Sequence, residues 1–295
     1  MKNERRIYAL GFFDGVHLGH QALLRECCRL AKEHSCATAA ITFDAHPQSL
    51  FSKYPPVLIS SVSDRESLLH SYGIEYVHTF PVTNKVMLTC WNVFLEQLLQ
   101  EGAAGFVCGD DFRFGHRGEG TAEKLMTFCA ERKLPCVIVP EQTMDGTRSS
   151  STLIRNFVEE GQMERARIFL GHPHTLSGCV QHGQKLGRKL GVPTANLTIP
   201  AGVAVPKFGV YACRVIVDGT SYPAVANVGT RPTVSGDHIT VEPWILDFTG
   251  DLYGKEISLE FYAFLRSEIK FADLDALKRQ IRADAEQTRK YFERI

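Results

Sequence analysis

Two histidines three residues apart, His17 and His20, stand in Asp14-Gly-Val-His-Leu-Gly-His20 with Gly19 between them. The segment follows an apolar run, Ile7–Phe13, and opens a stretch with helical spacing. A glycine there lets a phosphate approach the backbone, where free N–H groups of a helix start and the helix dipole attract an anion. Two imidazoles facing the same anion suit adenylyl transfer. The nucleophile in that reaction is a phosphate, already ionised, so no strong base is needed. The site must grip ATP, neutralise charge building on the α- and β-phosphates, and release pyrophosphate. A turn with two solvent-facing histidines is the bland alternative; the place after a first strand and before a helix favours the phosphate reading.

Other segments of the first half fit the same chemistry. Gly109-Asp-Asp-Phe-Arg-Phe-Gly115 follows a strand-like run and suits a ligand loop, or a plain polar loop. Ser150-Ser-Thr-Leu-Ile-Arg155 starts a helix, where Ser151 or Thr152 can cap and Arg155 can reach a phosphate. Thr42-Phe-Asp-Ala-His-Pro47 closes a second strand and by itself says little.

The second half carries the densest signal, Gly178 to Leu197. Spaced glycines, Gly183 and Gly187 among them, let backbone amides close on phosphate oxygens, and Lys185, Arg188 or Lys189 can supply charge. Thr194 and Asn196 are two apart and share one face of an extended segment. A hydroxyl and an amide oxygen there suit Mg²⁺, a hard cation that prefers oxygen. A glycine-rich hairpin leading into a strand is the alternative. Phosphorylating an alcohol, unlike a phosphate, needs the hydroxyl proton removed, and a positioned carboxylate is the usual recipient. Glu242 sits inside an otherwise apolar strand, Thr240–Phe248, although strand carboxylates usually face solvent.

These residues need scaffolds, and the patterning supplies two. Through residue 140, strand-like and helical runs alternate: strands at 7–13, 37–43, 76–82, 105–109 and 136–140, helices at 19–34, 64–72, 89–100 and 121–133. That alternation predicts a parallel sheet covered by helices, with ligands beyond the carboxyl ends of its strands. Two short helices, 152–160 and 163–170, follow. From residue 175 to 264, short runs rich in Val, Ile, Tyr and Phe broken by Gly, Pro and Asp predict antiparallel β, closing as a barrel. Leu274–Phe292 predicts one helix with Leu274, Leu277, Ile281 and Ala285 on a face. The expected domains are 1–174 and 175–295, α/β followed by all-β.

Composition excludes several classes. Lys and Arg number 33 against 33 Asp and Glu over 295 residues, so no global charge draws nucleic acid or an anionic membrane. No apolar run approaches the ~18 residues of a spanning helix. Ile7–Phe13 could pass for a signal-peptide core, but it runs into Asp14 and His17 without a small-residue cleavage site, so a buried strand is expected. Nine scattered cysteines without a C-x-x-C pair indicate neither zinc nor a disulfide framework, which suits reduced thiols in the cytoplasm. Oligomeric state stays open.

Taken in order, Gly11–His20, Phe43–Pro47, Gly109–Gly115 and Ser150–Arg155 resemble the nucleotidyltransferase module of the prokaryotic bifunctional riboflavin kinase/FMN adenylyltransferase family. Residues 178–197, Gly209–Tyr211, Asn227–Pro232, Val241-Glu242 and Asp247–Gly254 resemble its riboflavin kinase module. The resemblance implies a Rossmann-like HxGH domain and a kinase barrel with a closing helix. It implies ATP phosphates at His17 and His20, with Gly19 beside them, and a triphosphate clamp at Ser151, Thr152 and Arg155. It places flavin or nucleotide near Asp111 and Phe112, and a substrate loop at Arg231. In the barrel it implies a nucleotide flap at Gly183–Gly187 with Arg188, Mg²⁺ at Thr194 and Asn196, and Glu242 as base for the ribityl hydroxyl. The implied substrates are riboflavin, FMN and ATP. Three positions depart from the commonest family form: Phe12 and Asp111, often Asn, and Trp244, often His. A single-activity enzyme and a non-catalytic flavin-binding regulator are the alternatives. The filled motif positions of both halves favour two activities.

Overall fold

The computed structural model describes residues 4–181, 192–233 and 236–295, with backbone alone at 231–233 and 236–238. The chain divides into two compact units, Met1–Leu58 with Val62–Ser151, and Ile59–Ser61 with Thr152–Ile295.

In the first unit, β1 (Arg6–Leu10), β2 (Ala37–Phe43), β3 (Tyr76–Phe80), β4 (Ala103–Gly109) and β7 (Cys136–Val139) form one five-stranded parallel sheet in the order β3-β2-β1-β4-β7. Between β4 and β7 run two minor strands, β5 (Arg113–Phe114) and β6 (Gly120–Thr121). The central strand alternates its faces. Ile7 and Ala9 pack with Leu24, Cys27 and Leu30 of helix α1 (Leu18–Glu33) and Leu69 of α2 (Val62–Ser71). Tyr8 and Leu10 pack with Leu95 and Leu98 of α4 (Trp91–Gln100) and Leu125 and Phe128 of α5 (Ala122–Arg132). Each such apolar side chain contributes roughly 1.5–3 kcal/mol on full burial. The short helix α3 (Asn84–Met87), capped by Thr83, fell outside the sequence periodicity because four residues show no repeat.

Strand order fixes where a ligand goes. From β1 the chain builds outward through β2 and β3, then returns to the other side of β1 for β4 and β7. The reversal opens a crevice beyond the carboxyl ends of β1 and β4, the usual place for a nucleotide.

The second unit holds α6 (Ser151–Glu159, apart from Ser151), α7 (Met163–Leu170) and a six-stranded antiparallel sheet ordered β10-β15-β12-β13-β14-β11. Its strands are β10 (His174–Cys179), β11 (Leu197–Thr198), β12 (Gly209–Val217), β13 (Thr220–Thr233), β14 (Gly236–Ile245) and β15 (Glu256–Arg266). The outer strands nearly close it into a barrel: Gln181 N–H donates to Asn196 O at 3.0 Å. Helix α8 (Leu274–Phe292), capped by the Asp273 carboxylate, packs along one side through Ala285.

His174 is buried on β10 with its ring 5.7 Å from Phe261. Burial, then His172, lowers its pKa to about 3. Above the ordinary histidine pKa both folded and unfolded chains are neutral there. Between that value and about 3, only the unfolded chain takes up the proton, so stability falls as pH falls. The share lost by pH 5 is about 2 kcal/mol. His174→Leu should therefore flatten the drop in barrel stability between pH 7.5 and pH 5 by that amount. Urea unfolding followed through Trp244 emission in a Trp91→Phe background measures it, and equal drops in variant and parent would refute the assignment.

Candidate active sites

In the first unit the turn Phe13–Val16 joins β1 to α1 and is conformationally costly. Phe13, Gly15 and Val16 have φ of 59°, 71° and 40°. Left-handed backbone at a β-branched residue is rare and survives where surrounding packing imposes it. Here Phe13 and Val16 are wholly buried, and Ser151 Oγ donates to Asp14 O at 3.2 Å. The turn delivers His17 as the residue before α1 and His20 within its first turn. Their rings stack at 3.7 Å between centroids. Gly19 lies between them: a Cβ there would sit 3.0 Å from His17 Cε1. Burial first, then His17 and Arg65, hold the His20 pKa well below the ordinary histidine value. His20 is thus neutral at neutral pH and offers an anion a hydrogen bond, not a charge.

A cavity of about 250 Å³ lies over this turn. Gly11, Phe12, His17, Gly19 and His20 line one side, Asp110, Asp111 and Phe112 after β4 another, and Ser149–Ser151 a third. Asp111, which would repel phosphate if bare, is paired by the guanidinium of Arg148, and Arg148 also bonds Glu141 at 2.6 Å. Arg148 belongs to no motif; it lies on β9 (Thr147–Arg148), facing β8 (Thr143–Met144) in a hairpin too short to read from periodicity. Phe112 also lines a second cavity of about 160 Å³, largely apolar, with Ile41, Phe43, Met87, Phe94 and Phe114. Phe112 and Phe114 stack at 5.6 Å. Such a slot suits a flat heteroaromatic ring next to a phosphate-binding crevice. The family resemblance places flavin near Phe112, and the fold adds Phe43, Phe94 and Phe114 around it. Thr152 and Arg155 lie on α6, Arg155 one turn beyond Ser151 on the same helix face.

In the second unit, β11 pairs with β14 through Leu197↔Val241 and Thr198↔Thr240. Ala195 N–H donates to Pro243 O at 2.9 Å, which carries the same register one step further. Asn196 is therefore opposite Glu242, on the same sheet face, with Thr194 two residues away. Across the other edge of β14, Asn227 pairs with Glu242 and Val225 with Trp244. Glu242, Asn227 and Thr194 line a cavity of about 320 Å³ together with apolar Val210, Val225, Trp244, Leu277 and Ile281 and charged Arg266, Glu268 and Asp284. Thr194 also borders a smaller cavity of about 60 Å³ with Phe248, Asp251 and Tyr253. The long wall is fixed by Arg266, whose Nε and Nη2 reach the buried Asp284 carboxylate of α8 at 3.0 and 2.7 Å. Gln280 donates to the same carboxylate at 2.8 Å. Glu242 accepts from the Thr240 hydroxyl at 3.5 Å.

The residues fit a hard cation. Asn196 Oδ1 is buried and finds no hydrogen-bond partner among the described residues, and the Thr194 hydroxyl is on the same face. Gly183, Gly187 and Arg188 lie outside the described residues, as does the Arg231 side chain; the Arg231 backbone is in β13.

The family described as FAD synthetase matches residues 1–153, and the family described as riboflavin kinase matches 170–292. Curated relatives carry the name bifunctional riboflavin kinase/FMN adenylyltransferase. One from Listeria monocytogenes is 33% identical, covering 98% of this chain and 93% of its own length. One from Escherichia coli is 35% identical, covering 97% and 92%. A crystal structure from Streptococcus pneumoniae, described as a macrolide-efflux protein, superposes with a TM-score of 0.86 at 30% identity over 98% of this chain and 95% of that one. Among the described residues no helix is long and apolar enough to cross a membrane.

Proposed function

We propose residue roles from one premise: the chain belongs to the bifunctional riboflavin kinase/FMN adenylyltransferase family, which converts riboflavin to FMN and FMN to FAD with ATP. Function divides at residues 1–174 and 175–295. Support comes from the kinase family match beginning at residue 170 and from β10, the first barrel strand, beginning at His174.

In the barrel, the riboflavin 5′-hydroxyl oxygen attacks the γ-phosphorus of ATP, the bond to the β-phosphate oxygen breaks, and ADP leaves. Glu242 takes the hydroxyl proton as that bond forms. The observation carrying this reading is the register that sets Asn196 across from Glu242, beside Thr194. The cavity lining mixes polar with apolar side chains, which suits a polar ribityl chain joined to a flat ring. Thr194 and Asn196 hold Mg²⁺, which when bound neutralises the phosphates. Gly183, Gly187 and Arg188 cover the nucleotide, and Arg231 shapes the substrate loop, as the family resemblance implies.

In the first unit, a phosphate oxygen of FMN attacks the α-phosphorus of ATP, and pyrophosphate leaves. His17, His20 and the backbone at Gly19 stabilise charge on the transferring phosphates. Ser151 lines the phosphate cavity, and the triphosphate clamp of Ser151, Thr152 and Arg155 is carried over from the family resemblance. Asp111 and Phe112 place the flavin phosphate, with the ring in the phenylalanine-lined slot. The reading includes a cytoplasmic enzyme, which suits its ATP co-substrate and its nine free cysteines.

Metal titration tests the cation seat. Asn196→Leu should raise the Mg²⁺ concentration for half-maximal FMN formation at least about tenfold, the equivalent of about 1.4 kcal/mol. FAD formation from supplied FMN should keep its Mg²⁺ dependence. An unchanged Mg²⁺ curve for FMN formation would remove Asn196 from the seat.

A further inference from the structure

Arg65, on α2, is wholly buried, although arginine is among the residues least often buried without a reason. It is no nearer solvent than the core leucine Leu69 one turn later. Its Nη2 donates to Phe43 O at 2.5 Å and its Nη1 to Phe12 O at 3.4 Å. Its guanidinium carbon lies 4.8 Å from the centre of the Phe12 ring. Phe12 O accepts a second bond, from the Thr42 hydroxyl at 2.7 Å. Arg65 Nε has no hydrogen-bond partner among the described residues. A buried cation so placed costs several kcal/mol in desolvation. Leu, Met or Phe would fill an apolar site there without that cost, so packing does not explain the choice.

What the guanidinium joins is informative. Phe43 ends β2, and Phe12 follows β1 immediately before the strained Phe13–Val16 turn. Phe12 also lines the phosphate cavity, while Arg65 does not. A planar fork with donors in fixed directions can bridge two carbonyls that belong to different strands. The strained turn is thus held by Arg65 and Thr42 at its start and by Ser151 at Asp14. Without the first anchor the left-handed residues can relax, and His17 and His20 move with them. Burial lowers the Arg65 pKa from its ordinary value, and the nearby carboxylates of Asp14, Glu66 and Asp44 oppose that shift.

We infer that Arg65 is a positioning residue for adenylyl transfer: by bridging Phe12 O and Phe43 O it holds the strained turn that aims His17 and His20 at the transferring phosphate. It touches no substrate. The inference rests on the reading of His17 and His20 given above.

Steady-state kinetics of the full chain with FMN and ATP tests it. Arg65→Met keeps the stem and deletes the fork; Arg65→Lys keeps a charge but reaches one carbonyl at a time. Displacing reacting groups by about 1 Å costs about a hundredfold. Arg65→Met is therefore expected to lower kcat for FAD formation about a hundredfold, while KM for ATP changes less than about threefold, with riboflavin phosphorylation retained as the check on folding. Arg65→Lys should recover part of the loss, ending about tenfold below the parent in kcat with the same KM. A kcat within about threefold of the parent in either variant, or a loss carried wholly by KM, would overturn the inference. Should Arg65→Met fail to fold, Arg65→Lys decides by the same criteria. His20→Ala in the same assay separates the two readings. Intact FAD formation there refutes the roles of the turn, and loss there with a parent-like Arg65→Lys refutes the positioning role alone.

Discussion

Glu242→Gln should reduce phosphorylation of riboflavin about a thousandfold while FAD formation from supplied FMN stays within about twofold of the parent. The substitution keeps size and hydrogen-bonding shape and removes only the ability to take a proton. Glu242 lies opposite Asn196 and lines the barrel cavity, which is the basis of its proposed role as base for the ribityl hydroxyl. General-base catalysis contributes about 10²–10⁴-fold, which sets the size of the loss. Discontinuous assays that separate riboflavin, FMN and FAD give both rates from one preparation. Retention of FMN formation would mean that another group takes the proton. Loss of both activities would mean that the substitution disturbs more than the barrel cavity.

The second large effect is expected at His20. His20→Ala should lower FAD formation from FMN about a hundredfold to a thousandfold, the range typical for deleting one donor to developing charge. Riboflavin phosphorylation should be unaffected. Because burial, His17 and Arg65 keep His20 neutral, its contribution is a directed N–H, not a titrating charge. An alanine also removes one half of the stacked pair and frees His17 to move. Continued FAD synthesis in this variant would remove the phosphate role of the turn.

Much of this arrangement was legible in the residues. The strand 37–43 and the helices 163–170 and 274–292 stand where apolar periodicity set them, because each is long enough to show its period or is bounded by a clear stop. The first strand ends at Leu10, earlier than the apolar run through Phe13 suggested, because Phe13 is left-handed and serves the turn. The residues just after the strand, Gly11 and Phe12, line the cavity over the turn. The barrel strands run longer than their apolar runs, since β13 spans Thr220–Thr233 and takes in Pro223 and Pro232. Prolines near both ends of this interior strand hide its length from composition.

Site residues divide in the same way. His17, Gly19 and His20 are contiguous, so spacing alone exposed them. Asn196 and Glu242 are distant in sequence, and their opposition depends on a register that only pairing reveals. Arg65 carried no motif. Its one sequence sign was a charged residue one turn before the buried Leu69, on the face that α2 presents to the core. Arg148 as partner of Asp111 and the Arg266–Asp284 pair along the barrel cavity are likewise products of folding, joining residues from separate elements. The fold also answers the concern raised by an acidic Asp111 among phosphates, since its charge is already paired.

Trans-complementation tests the division of labour most directly. Full-length Glu242→Gln and full-length His20→Ala proteins are each incubated with riboflavin, ATP and Mg²⁺, alone and mixed. With two self-sufficient active sites, the first alone should leave riboflavin unchanged, the second alone should stop at FMN, and only the mixture should accumulate FAD. FAD from either variant alone would contradict the account.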